Sequence, residues 1–172
     1  MSTDTTEKGL ETLIMKFMIG TDGLSAPASL GIAETPPAYD GRRYQAGSPK
    51  DFDRGPALDV AQLFAFLSIT QPETFKKLEM AEPSNPKDIK RLQFLTRLSS
   101  ETAKRGVIDV LRKGLAHGPL NFDLFYGTPS AGNAKAATLH AQNRFSMTRQ
   151  LAYSNDETRR ALDLCLFING LP

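Results

Sequence analysis

Apolar residues recur at helical spacing through most of the chain and at strand spacing near its end. Leu10, Leu13, Ile14, Phe17 and Met18 stand at i, i+3, i+4, i+7 and i+8, which predicts an amphipathic helix with that stripe facing the core. Asp4 followed by Glu7 supplies a capping-box start signal for it. Residues 20–55 are rich in Gly and Pro and show little periodicity, so they predict one long exposed loop. Residues 58–67 read as a compact apolar helix, and Pro72-Glu73 opens a short one. The chain breaks at 83–86 and again at His117-Gly118-Pro119. Between those breaks, residues 88–98 and 101–115 read as two helices, or one with a bend. Ile89, Leu92 and Leu95, then Val107, Leu111 and Leu115, supply their inward faces. Residues 121–126 read as extended, and 133–143 as an Ala-rich helix.

The period then changes to two. Phe145, Met147, Leu151 and Tyr153 alternate with Ser146, Thr148, Gln150 and Ala152, the pattern of a half-buried strand. Residues 154–160 connect it to a second strand over 161–168. There Leu162, Leu164, Leu166 and Ile168 fill one face, while Cys165 and Phe167 make the other apolar too. Such a strand is expected to be central and covered on both sides. Asp163 is its one charge, and a carboxylate so placed is costly without a cation or strong donors. The alternative is a wet strand end, with Asp163 solvated or paired to Arg159 or Arg160. The pattern as a whole predicts a single α/β domain over residues 1–172, leaning helical, with a small incomplete sheet.

A chain of 172 residues can bury one real core but not two large ones. Its 40% hydrophobic and 23% charged content is that of an ordinary globular protein. The net charge of +2 does not by itself argue for nucleic acid, but the charges are unevenly spread. From Lys87 to Lys113, eight Lys and Arg face three acids, either a phosphate-facing surface or the solvated side of helices. Residues 39–44 interleave aromatics and arginines, in a loop that either touches DNA or is simply exposed. Cys165 is the sole cysteine, so no intramolecular disulfide forms and a small core residue is expected. The N-terminus lacks a basic segment followed by an apolar one, and no apolar run approaches about 18 residues. Neither a signal peptide nor a membrane span is expected, which suggests the cytoplasm. His117 and His140 are too isolated to suggest a metal pair, and His117 reads as a helix C-terminal residue favoured by the dipole. Lys8-Gly9, Lys113-Gly114 and Gly127-Thr128-Pro129 do not form a nucleotide phosphate loop.

Two long stretches carry a resemblance. Asn143-Arg144-Phe145-Ser146-Met147-Thr148-Arg149-Gln150-Leu151, and then Leu162-Asp163-Leu164-Cys165-Leu166-Phe167-Ile168-Asn169-Gly170-Leu171-Pro172, closely resemble the N-terminal nuclease region of type I restriction enzyme R (motor) subunits. The resemblance covers most of the chain, including residues 57–67, 103–114 and 122–127. It implies a PD-(D/E)XK-type, restriction-endonuclease-like core whose strand aspartate corresponds to Asp163. The family continues beyond Asn-Gly-Leu-Pro into a strand bearing Glu-x-Lys and a helix bearing Gln-x-x-x-Tyr. Both would follow Pro172, so the expectation is a nuclease domain incomplete at its C-terminal side. The implied activity is ATP- and Mg2+-dependent endonucleolytic cleavage of unmodified foreign double-stranded DNA. The implied partners are methylation and specificity subunits, and ATP enters through a motor domain outside these residues.

Hydrolysis of a phosphodiester adds negative charge to a phosphate, so a cation held by carboxylates beside it is required. Magnesium suits this role through its hard oxygen ligands and retained waters. Asp163 is the candidate catalytic residue and metal ligand. Glu11 is a second catalytic candidate: it borders the stripe of Leu10, Ile14 and Met18, so its carboxylate points either to water or inward. Arg144, Arg149 and Gln150 match the family segment Asn-x-Phe-x-Val/Met-Thr-x-Gln and are candidate DNA contacts. Arg149 shares a face with Phe145, Met147 and Leu151, so it either pairs with a core carboxylate or meets a phosphate. Gln150 either bonds across strands or reaches DNA. One strand carboxylate without the Glu-x-Lys pair is expected to leave these residues alone inert on DNA. Two other expectations stand beside the nuclease: a truncated, non-catalytic DNA-binding or subunit-docking module, and a small helical interaction domain.

Overall fold

The computed structural model describes residues 7–20, 44–154 and 160–172. In chain order they form α1 (Glu7–Ile19), β1 (Gln45–Ala46), β2 (Phe52–Asp53), β3 (Leu58–Asp59), α2 (Val60–Thr70) and α3 (Pro72–Lys76), then α4 (Ile89–Arg105) and α5 (Val107–Lys113). β4 (Leu115–His117), β5 (Leu120–Phe122), α6 (Ala134–Ala141), β6 (Phe145–Ala152) and β7 (Ala161–Ile168) complete the series. The architecture is helical with small sheets, one of them mixed, as an α/β chain leaning helical should be. No helix among the described residues is long and apolar enough to cross a membrane.

Local chemistry sets the helix starts. Asp59 caps α2 by accepting from the Gln62 amide at 3.0 Å. Burial holds the Asp59 carboxyl above its usual range. Asp88 caps α4, accepting from Arg91 N at 2.8 Å and Ala81 N at 3.0 Å. The hydrogen bond from the Arg91 amide, the largest influence, lowers the Asp88 carboxyl. Asn133 caps α6 from Ala136 N at 3.0 Å. The break expected near residues 99–100 falls instead at Gly106, whose φ of +83° an L side chain rarely adopts. Leu115, expected to end that helix, belongs to β4.

The core is built by Leu63, Phe66 and Leu67 of α2, by Phe94, Leu95 and Leu98 of α4, and by Val110, Leu115, Phe122 and Leu124. Ile89 and Leu92, expected to point inward, are 70% and 46% exposed. α4 is turned so that Arg91 is buried with Phe94, Leu95 and Leu98, its guanidinium paired to Asp53 at 3.2 Å. The expectation of one long loop is corrected as well. Its described part, residues 44–55, contains β1 and β2, because backbone groups there find partners in β6 and β3. Residues 20–43 of that loop, apart from Gly20, and its tip at 39–43 lie outside the described residues, as do Asp4 and Arg159.

β6 pairs with β1 in parallel and with β7 antiparallel, giving the order β1-β6-β7. Both long strands fall where the sequence places them. Among the described residues, however, β7 lies at the edge of the sheet rather than at its centre, and Leu162 and Leu166 are 44% and 46% exposed. Beyond it Asn169 and Gly170, at φ +51° and +85°, form a two-residue turn of the kind Asn-Gly favours. Leu171 returns to bridge Ile168 through two backbone bonds of 2.8 and 3.0 Å. The turn is seated on α2: Asp59 N donates to Gly170 O at 2.9 Å, and a Cβ at Gly170 would lie 2.7 Å from Leu63 N. The packing of this turn, with Phe167 against Phe52 at 5.9 Å, fixes the sheet to the helical core.

An apolar strand with no second strand neighbour among the described residues is a template for another strand. A polypeptide of these 172 residues is therefore expected to self-associate as concentration rises. Light scattering across a concentration series checks this, and a monodisperse monomer throughout would contradict it.

Candidate functional site

α1 meets β6 through charge. The expected stripe is not the buried one: Leu10, Leu13 and Phe17 are 57%, 59% and 63% exposed, while Glu11 and Met15 are buried. The reason is Arg149. It lies on the face of β6 shared with Met147 and Leu151, and a buried guanidinium requires a carboxylate partner. Its Nε donates to Glu11 Oε2 at 2.9 Å, Nη1 to Thr12 Oγ1 at 3.0 Å, and Nη2 to Lys8 O at 3.4 Å. Turning α1 to supply Glu11 leaves its apolar stripe outside.

Next in the strand, Gln150 carries a φ of +52°. The β6–β7 ladder pairs Arg149 with Leu164 and Leu151 with Leu162 but skips Gln150, which stands opposite Asp163. A side chain held at left-handed φ inside a strand costs on the order of 1–3 kcal/mol. The distortion lets the Gln150 amide reach across: Nε2 donates to Glu11 Oε2 at 3.1 Å and to Asp163 Oδ1 at 3.3 Å. Four candidates from the sequence thus meet at one place, Glu11 with Arg149 inside the protein and Gln150 with Asp163 at its surface.

The environments of the two carboxylates differ. Glu11 is 5% exposed and already engaged by Arg149 and Gln150, whereas Asp163 is exposed. No ion pair links Asp163 to Arg160 among the described residues. A magnesium cage needs several oxygen donors, and of the two carboxylates described here Asp163 is the one open to supply one. No group of three or more His, Cys, Asp or Glu side chains suited to a metal gathers among the described residues. The donors among the described residues do not make a complete metal centre.

Arg144, the remaining candidate, sits apart from this cluster. Its Nε donates to Gln62 Oε1 at 2.5 Å and its backbone N to Asn169 Oδ1 at 2.6 Å, so it joins β6 to α2. Beside it lies a network the sequence did not flag. Buried Asn169 donates to Leu124 O at 2.8 Å and to Asn143 Oδ1 at 3.1 Å, and Asn143 Nδ2 donates to Tyr126 O at 2.7 Å. His140 Nδ1 also approaches Tyr126 O at 2.7 Å. His117 is not at a helix end. It is the last residue of β4, edge-on to Phe94 at 5.6 Å. Cys165 is half-buried rather than fully in the core, and burial pushes its thiol up.

No family model, no curated protein and no solved structure matches this chain.

Proposed function

We propose that these residues are the N-terminal nuclease region of a type I restriction enzyme R subunit, with a restriction-endonuclease-like core. The observation that carries this reading is the meeting of Glu11 and Asp163 on one strained glutamine: Gln150, at φ +52°, donates to both carboxylates. Backbone strain of this kind, held by hydrogen bonds to two acids, is found at functional sites and supports the reading. The stretches 143–151 and 162–172 supply the family, and they contain Arg149, Gln150 and Asp163.

On this reading the substrate is unmodified double-stranded DNA, Asp163 faces the scissile phosphate, and the subunit works in the cytoplasm with methylation and specificity partners. Magnesium would supply charge at the phosphate, with its further donors on the Glu-x-Lys strand that the resemblance implies. ATP belongs to the motor domain of the same subunit. Glu11 acts here through Gln150 and Arg149, holding the strand in its distorted form.

A second reading is favoured by a specific feature. Because Glu11 is neutralised by Arg149 at 2.9 Å, these residues by themselves fit a non-catalytic DNA-binding or subunit-docking module. The two are separated by assembling the full-length subunit with methylation and specificity partners and assaying methylated and unmethylated plasmid with and without ATP. Cleavage confined to unmethylated DNA with ATP is the expected result. Binding without cleavage selects the second reading, and neither binding nor cleavage removes both.

A further inference from the structure

A cavity of about 350 Å³ opens between the end of α3, the first turns of α4 and the β4–β5 turn. Its walls carry Lys77, Lys90 and His117 with the Gln93 amide, over a floor that includes Leu78 and Leu120, and no carboxylate lines it. Several other cations of this region already have carboxylate partners. Arg97 pairs with Glu101 at 3.2 Å and donates to Ala116 O at 3.3 Å, while Arg105 and Lys113 pair with Asp109 at 3.4 and 2.5 Å. Lys77 and Lys90 have no ion pair among the described residues. Lys90 is also the second residue of the 17-residue α4, where the helix dipole adds positive potential. Partial burial, then the charges of Arg97 and Lys90, hold the His117 imidazole below its usual range.

Two exposed lysines without an ion pair among the described residues and the His117 ring border this apolar floor, in a volume suited to a small molecule. A carboxylate would neutralise one lysine. A phosphomonoester carries roughly −1.5 to −2 charges near neutral pH and offers three terminal oxygens, which matches both lysines and His117. We propose that this cavity binds a phosphomonoester, with Lys77 and Lys90 on the phosphoryl oxygens, His117 donating to a third, and the organic part against Leu78 and Leu120. The group arrives either on a free nucleotide or on the 5′ end of a nucleic acid, since the recognising chemistry is the same. The site stands apart from the Asp163 cluster and does not depend on the nuclease proposal.

Calorimetric titration of the full chain tests it with adenosine 5′-monophosphate, with adenosine, and with a short oligonucleotide carrying a 5′-phosphate or a 5′-hydroxyl. Binding of the monophosphate but not adenosine is expected. Replacing Lys77 or Lys90 by Ala should weaken it about tenfold each, as loss of a charge-assisted hydrogen bond predicts. Lys104→Ala, 14 residues along the same helix and about 21 Å away, should leave it unchanged. The His117 imidazole, followed by NMR, should gain a proton more readily in the bound state, because a dianion beside it favours the charged ring. A response to the 5′-phosphorylated oligonucleotide and not its 5′-hydroxyl form assigns the group to nucleic-acid ends. Equal response to adenosine, equal weakening by Lys104→Ala, or no heat with any probe overturns the site.

Discussion

Glu11→Ala is expected to lower folding stability by about 3–5 kcal/mol, because it strands the buried guanidinium of Arg149 without its carboxylate. Side-chain exposures of 6% for Arg149 and 7% for Glu11 place both charges out of water. The lost partner is therefore not replaced by solvent at little cost. The effect is large against the 5–15 kcal/mol that typically separates folded from unfolded domains. It should be large because, among the side chains described for α1, only Glu11 and Met15 are buried, while Leu10, Leu13 and Phe17 are exposed. Urea unfolding measures the loss, and protection of α1 amides from exchange should fall with it. Restoring charge balance with Arg149→Met in the same chain should recover much of the stability, as paired removal of buried ions often does. A loss for Glu11→Ala below about 1 kcal/mol would show the pair to be solvated.

The same ion pair explains why the sequence yielded some elements and misled on others. β6 was legible from its alternation over eight residues, β7 from a short continuous apolar run after it, and α6 from its run of Ala. α1 was legible as a helix but not as a face. Periodicity assumes that the apolar stripe goes inward, and here one carboxylate with a buried arginine to satisfy outweighed three apolar side chains. α4 shows the smaller version, with Arg91 inside on Asp53 while Ile89 and Leu92 face out. β1 and β2 are very short, and their existence depends on pairing with β6 and β3, so no local pattern announces them.

At the site, Glu11 and Asp163 could be singled out as carboxylates in unusual company, and Arg149 as the residue needing a partner. That Glu11 answers Arg149, and that one amide links it to Asp163, required the fold. The left-handed turn of Gln150 had no signal, because nothing in a glutamine favours that conformation. Asn169 did have one: Asn-Gly after a strand is the strongest short-range mark of a two-residue hairpin. Its buried amide, tied to Leu124 and Asn143, is what makes the turn a support for the strand bearing Asp163.

The largest expected effect on activity comes from Asp163→Ala in the full-length subunit assembled with its partners. On the proposed function this carboxylate faces the scissile phosphate, and loss of a single positioned charge or proton-transfer group commonly costs about 10²–10⁴ in rate. The surroundings of Asp163 separate that loss from misfolding. It is exposed on an edge strand, where it accepts a 3.3 Å hydrogen bond from Gln150. Surface replacements of this kind usually change stability by no more than about 0.5 kcal/mol. Melting temperature and ATP hydrolysis should therefore stay near those of the parent while DNA cleavage disappears. Glu11→Ala gives the contrast, lowering stability and cleavage together because its carboxylate holds the fold. Asp163→Asn sharpens the test: it keeps shape and can still meet the Gln150 amide through its carbonyl, so it removes charge alone. It should be as inactive as Asp163→Ala. If either assembly cuts unmethylated DNA at the parental rate, Asp163 takes no part in the chemistry and the nuclease proposal for this strand fails.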